Sequence, residues 1–180
     1  MRIKIVSVLS STLLLFACAT SGPRINSAAN PGTDFFAFGT FNIMQPAGTD
    51  RANGVRTPLT GMLASAVTRE LESRGMRQSD SPDILVNFFV NIEERMDVRT
   101  VPTASSFHGY RRGRYRSWPN YETRVRQYTQ GTLAIDLVDR ADNMLVWEAA
   151  AQNRLPRNMT EISQQQIDEV VAAIMKELPR

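Results

Sequence analysis

The amino-acid sequence predicts an α+β protein, a two-layer sandwich with two helices packed on one face of a mostly antiparallel sheet of about four strands. Three observations carry that expectation. Residues 57–75 and 163–178 place apolar side chains at spacings of three and four, the period of a helix with one buried face. Residues 84–92 and 129–138 instead alternate apolar and other side chains, the period of a half-buried strand. Turn-forming residues at 139–143 then separate the second alternating run from the apolar stretch 144–151, as in an antiparallel hairpin. Elements with one apolar face each are satisfied when helices stack on one side of a sheet.

The chain begins with Arg2 and Lys4, continues through an apolar run at 5–16, and reaches Leu15-Phe16-Ala17-Cys18, which contains the one cysteine of the 180 residues. A basic start, a short apolar core and a small residue before cysteine read as a lipoprotein signal over residues 1–17, too short to span a bilayer. Cleavage there leaves 163 residues, enough for one domain with a real core, and takes the formal net charge from +3 to +1. Lipidation at Cys18 would attach more than one acyl chain, enough for stable anchoring, and would leave no thiol for a disulfide or for cysteine-based metal and redox chemistry. Ala19 follows, not the Asp that retains many enteric lipoproteins at the inner membrane, so the sequence is read as outer-membrane, facing the periplasm. Residues 18–33, poor in large apolar groups and marked by Gly-Pro and Pro-Gly, read as the lipidated cysteine and a flexible tether.

A single α+β domain is then expected over 34–180. Its first strand is placed at 34–44, which is rich in phenylalanine. Thr57-Pro58 is a sound helix start, with a capping hydroxyl followed by proline at the first helical position. Leu59, Met62, Leu63, Ala66, Val67 and Leu71 form its apolar stripe, and Gly75 stands where a left-handed cap would end it. In the strand at 84–92, Phe88 is expected in the core, while the sequence leaves Trp147 open between core and surface. Ser163 with Gln166 three places on forms a capping box before the stripe Ile167, Val170, Val171, Ile174 and Leu178.

Asp34-Phe35-Phe36, Pro82-Asp83-Ile84-Leu85-Val86 and above all the run from Tyr128 to Asp139 leading to Leu145-Val146-Trp147 resemble a family of bacterial lipoproteins, domain of unknown function 4136. The resemblance implies a lipoprotein with an α+β fold and a Gly, Tyr and Trp-rich insert between the middle strands. It brings no activity and no catalytic residue. Members often carry glycine two places after the tryptophan, where this chain has Ala149.

No catalytic constellation emerges from the residues. The one histidine, His108, lies in the least patterned segment, and one histidine without a free cysteine cannot supply an ordinary zinc ligand set. Asp136 and Asp139, three apart on a strand, point to opposite faces; Asp139 reads as a turn residue. Phosphate-loop and dinucleotide fingerprints are missing, so no enzyme activity, cofactor or metal is expected.

The compositional anomaly is an insert at about 98–122 within a stretch, 99–126, that holds seven arginines against one acid, Glu122. Arg111, Arg112, Arg114 and Arg116 are interleaved with Tyr115 and Trp118. Such a mixture suits phosphate or carboxylate recognition, since guanidinium groups bind these bidentately and stack on aromatic rings. Export argues against nucleic acid and directs the expectation to anionic lipid or an acidic envelope protein. The competing expectation is a solvated connection whose arginines reflect composition, as 19 of the 21 basic residues are Arg. The function expected from the sequence is therefore a non-enzymatic interaction or envelope-support module, with a small-ligand-binding lipoprotein or a transport-complex subunit as the alternatives.

Overall fold

The computed structural model describes residues 22–103, 120–155 and 162–179. Six strands form one sheet: β1 (Arg24–Ala29), β2 (Thr40–Ile43), β3 (Arg77–Gln78), β4 (Ile84–Thr103), β5 (Asn120–Asp139) and β6 (Met144–Leu155). Two helices, α1 (Pro58–Ser73) and α2 (Gln164–Met175), cover one of its faces. The strand order is β1-β6-β5-β4-β2-β3.

This corrects the expected four-stranded, mostly antiparallel sheet. The sheet has six strands and is mixed, because β2 runs parallel to both β3 and β4 while β1, β4, β5 and β6 pair antiparallel. The reason lies in the connection: a helix between two strands carries the chain back to its starting end, so strands flanking α1 emerge parallel. β1 was not expected at all, since Arg24–Ala29 falls within the stretch read as tether. It has little apolar content, is largely exposed, and takes its order from six register pairs with β6. The expected strand at 34–44 is divided into a 3-10 turn, Phe35–Ala37, and β2.

Local chemistry sets the helix ends. The Thr57 hydroxyl accepts from the Thr60 N–H at 3.1 Å, and Gly75, at φ +91°, closes α1 with Met76 N–H donating to Leu71 and Gly75 N–H to Glu72. Ser163 and Gln166 form the reciprocal capping box of α2. The helices are joined by an Arg69–Asp168 ion pair, by Arg74 donating to the Met175 carbonyl, and by Gln164, which donates to Met62 O and Asp168.

Beneath them, Phe41, Val86, Phe88, Ile135, Leu137 and Trp147 are almost wholly buried, so Phe88 lies in the core as expected and Trp147 joins it. A register shift at Leu137/Val138 leaves Val146 as the extra residue of β6, and consecutive Val146 and Trp147 are both buried. At the entry of the sheet, the Asp83 carboxylate accepts from Gly39 N–H (2.9 Å), Thr40 N–H (2.8 Å) and the Thr40 hydroxyl (2.8 Å), fastening the start of β2 to the start of β4. These bonds, the Thr40 hydroxyl foremost, hold its pKa below the ordinary 3.8.

Two outcomes follow. Phe88→Ala is expected to lower unfolding free energy by about 3–5 kcal/mol in denaturant titration, whereas Phe89→Ala, at a side chain 46% exposed, costs far less. Asp83→Ala is expected to cost about 1–2 kcal/mol, the low end for charge-assisted bonds because solvent reaches the carboxylate. A depressed folded pKa stabilises only where the unfolded group is ionised. The wild-type advantage over Asp83→Ala is therefore constant at neutral pH and shrinks as pH falls through and below 3.8, measurable as midpoints across pH.

Candidate interaction surface

The sheet narrows along its length. β1 ends its pairing at Arg24 opposite Gln152, and β6 at Leu155 opposite Thr129, but β4 and β5 stay in register to Thr103 and Asn120. Twenty residues of strand span about 65 Å. The outer half, 94–103 with 120–128, is a two-stranded arm that leaves the helix-covered domain. The segment expected to be an insert at about 98–122 thus begins and ends as strand: residues 98–103 and 120–122 belong to the ladder.

The arm has two unlike faces. The face continuous with the helix side carries Ile92, Met96, Val98, Val125 and Tyr121, each more than half exposed. The opposite face carries charges: they alternate along β4 as Glu93, Arg95, Asp97, Arg99, and along β5 read Glu122, Arg124, Arg126. Arg95 donates to Glu93 (2.8 Å), Arg99 to Asp97 (3.0 Å) and Arg124 to Glu122 (3.5 Å). Arg154, at the end of β6, stacks 4.0 Å from the Tyr128 ring centroid with a terminal nitrogen 3.9 Å from Asp97. At the root of the arm an apolar groove of about 370 Å³ opens between helices and sheet, lined by Leu59, Val90, Leu133, Leu155, Ile162 and Val170. Gly131 makes room there: a β-carbon on it would come within 3.2 Å of the Leu155 side chain.

Cys18 and the arginine-aromatic cluster Arg111, Arg112, Arg114, Tyr115, Arg116 and Trp118 lie outside the described residues, as does His108. Of the other arginines in the basic stretch, Arg99 and Arg124 are strand residues in ion pairs, and Arg126 stands opposite Asp97 in the ladder. Asp139 is the turn residue expected, accepting from Ala141 N–H at 2.7 Å. The carboxylates that do meet are Asp136 and Glu148, directly opposite across β5 and β6 on the sheet face without helices. Burial raises the Asp136 pKa above 3.8, and the Glu148 charge adds to the rise. The sequence concealed this pair because it depends on register between strands. Met96, Val98 and Thr100 continue the phase of 84–92 beyond Glu94, a signal for the arm that the expectation of an insert from about 98 misses. Among the described residues no cluster of three or more His, Cys, Asp or Glu could hold a metal ion, and no helix is long and apolar enough to cross a membrane.

A mixed sheet with one helix-covered face and a projecting hairpin defines the class. Residues 25–180 match the family described as "Domain of unknown function (DUF4136)", and the chain belongs to that family. No curated protein sequence matches it. Among solved structures, a PDZ domain protein from Parabacteroides distasonis is similar with a TM-score of 0.55 at 16% identity over 86% of this chain, and this chain spans 35% of that one. PelC from Paraburkholderia phytofirmans, solved as a dodecamer, aligns over 84% of this chain and 93% of its own at 10% identity and a TM-score of 0.46. The first likeness is one of fold.

Relieving the opposed carboxylates is expected to stabilise the protein: Asp136→Asn should gain about 0.2–1 kcal/mol at pH 7. Because the folded pKa is raised, wild-type stability falls as pH climbs from 3.8 through the folded value. The gain should vanish well below pH 3.8 and reach its full size above the raised pKa, read as the difference between the two melting curves across pH.

Proposed function

We propose that this protein is a non-enzymatic interaction or envelope-support module, anchored to the outer membrane through a lipidated Cys18 and facing the periplasm, with the β4–β5 arm as its contact element. The observation that carries the reading is the arm. A two-stranded ribbon is marginal in water on its own, and this one leaves apolar side chains on both strands, Met96, Val98 and Val125, open to solvent. Such a ribbon gains when a partner covers it. The alternating charges on its other face supply polar contacts that would orient that partner. In the sequence between β4 and β5, Arg111, Arg112, Arg114 and Arg116 with Tyr115 and Trp118 supply groups for an anionic headgroup or an acidic partner protein.

The apolar groove supports a second reading, a lipoprotein that holds a small apolar ligand. Saturable displacement of a fluorescent fatty-acid probe, lost in Val170→Trp, would support it; no saturable binding by the wild type rejects it.

Two measurements test the leading reading. Intact mass of the membrane-extracted protein should show a chain beginning at Cys18 with added acyl mass, and Cys18→Ala should lose both that mass and membrane association; an unmodified soluble wild type overturns the anchor. Replacing Arg111, Arg112, Arg114 and Arg116 with Gln should weaken binding to vesicles containing anionic lipid several-fold at low salt, with a smaller difference at high salt. Unchanged binding at low salt removes the anionic-lipid contact from the proposal.

A further inference from the structure

Among the described residues, the outer edge of β4 is open along the arm. β2 pairs with β4 only from Ile84 to Val86, and Met44 N–H donates to Val86 O at 2.8 Å, so the Val86 backbone points away from β5. In an antiparallel ladder without register shifts, alternate residues share that direction. Ile92, Glu94, Met96, Val98 and Thr100 therefore present N–H and C=O groups at this edge that no backbone group pairs with among the described residues. Pro102 has the same parity, and its missing N–H ends the donor row.

Natural edges usually discourage pairing with another copy through like charges or bulges. Here the side chains do the reverse. On one face the edge reads Glu93, Arg95, Asp97, Arg99. Laid antiparallel against a second β4 with Met96 opposite Met96, Glu93 faces Arg99 and Arg95 faces Asp97, and the two-fold axis repeats both pairs. Four opposite-charge pairs result. A slip of two residues in either direction puts Arg95 opposite Arg95 or Asp97 opposite Asp97, and a slip of four keeps only two of the four pairs, so the charges favour the register centred on Met96. In that register Ile92, Glu94, Met96, Val98 and Thr100 oppose residues of the same backbone direction, which is what an antiparallel hydrogen-bonded ladder requires. On the face those residues share, Met96 meets Met96 at the axis, while Ile92 faces Thr100 and Val98 faces Glu94 of the other copy.

We propose that two copies of this chain join edge to edge through β4, antiparallel and centred on Met96, making one sheet across a two-fold axis. The partner is a second copy because the charge row is complementary to itself. The arms of the assembly become a four-stranded ribbon, β5-β4-β4-β5, in place of two isolated hairpins. This inference stands apart from lipidation and from the arginine-aromatic cluster.

The test is disulfide trapping in the full chain, with copper phenanthroline added to cell lysate before any solubilisation. Paired Met96 positions would lie about 5.5 Å apart between Cα atoms, inside the disulfide range of about 4.4–6.8 Å. Met96→Cys should trap a dimer, whereas Val98→Cys, offset from its own copy by four residues or about 13 Å, should not. Wild type reports any trapping through Cys18. Adding Arg95→Glu/Arg99→Glu to Met96→Cys makes the row all acidic, and adding Glu93→Arg/Asp97→Arg makes it all basic. Each alone should reduce trapping about tenfold or more, and co-expression of the two should restore it, which also shows that both variants fold. The proposal is overturned if Met96→Cys gives no dimer above wild type, if Val98→Cys traps equally, if either charge variant still traps, or if co-expression does not restore the dimer.

Discussion

The β4–β5 ladder runs through both halves of the molecule, and each half depends on it differently. In the inner half, alternate residues such as Val86, Phe88, Ile135 and Leu137 are pressed against the helices, and a slip of one residue would turn all of them to the open face. Burial therefore pins the register where the helices lie. The outer half, which neither α1 nor α2 covers, inherits the register residue by residue to Thr103 and Asn120. Its two chemically distinct faces follow from a register set some 30 Å away.

The helix layer decides where core gives way to arm. Sixteen residues of α1 and twelve of α2 cannot span twenty residues of strand, because a helix rises about 1.5 Å per residue and a strand about 3.3 Å. Val90 and Ile92, in the same phase as buried Val86 and Phe88, are thus 39% and 59% exposed. The groove forms at this boundary, where side chains of the apolar phase stand beyond the helix starts.

Charge is treated in two ways on the helix-free side. Within the domain, Asp136 and Glu148 are opposed with no ion-pair partner for either among the described residues, and burial makes ionisation of Asp136 unfavourable. Along the arm each carboxylate has a guanidinium two residues away on its own strand. Surface pairs of this kind contribute little to stability, so their consequence lies more in arranging an orienting charge pattern than in holding the arm together.

Capping, periodicity and turn chemistry were legible in the sequence because they are local. Thr57-Pro58, Gly75, the Ser163–Gln166 box and the Asp139 turn each act within a few residues, and the stripes of both helices repeat at 3.6. The strand character of 84–92 and 129–138 followed from alternation, and Phe88 from its place in that phase. What remained hidden was whatever needs a neighbour distant in sequence. β1 has no apolar pattern of its own and is a strand because β6 offers an edge. The parallel pairs arise from the path of α1, the burial of Val146 beside Trp147 from a bulge, and the Asp136–Glu148 contact from register. The sequence by itself determined both helices, the strand character of 84–92 and 129–138 and which face of each is apolar, since those depend on side chains a few residues apart. Only the tertiary structure decided how many strands join, which run parallel and where apolar residues are left uncovered, since pairing partners and the reach of the helix layer are set by chain path in space.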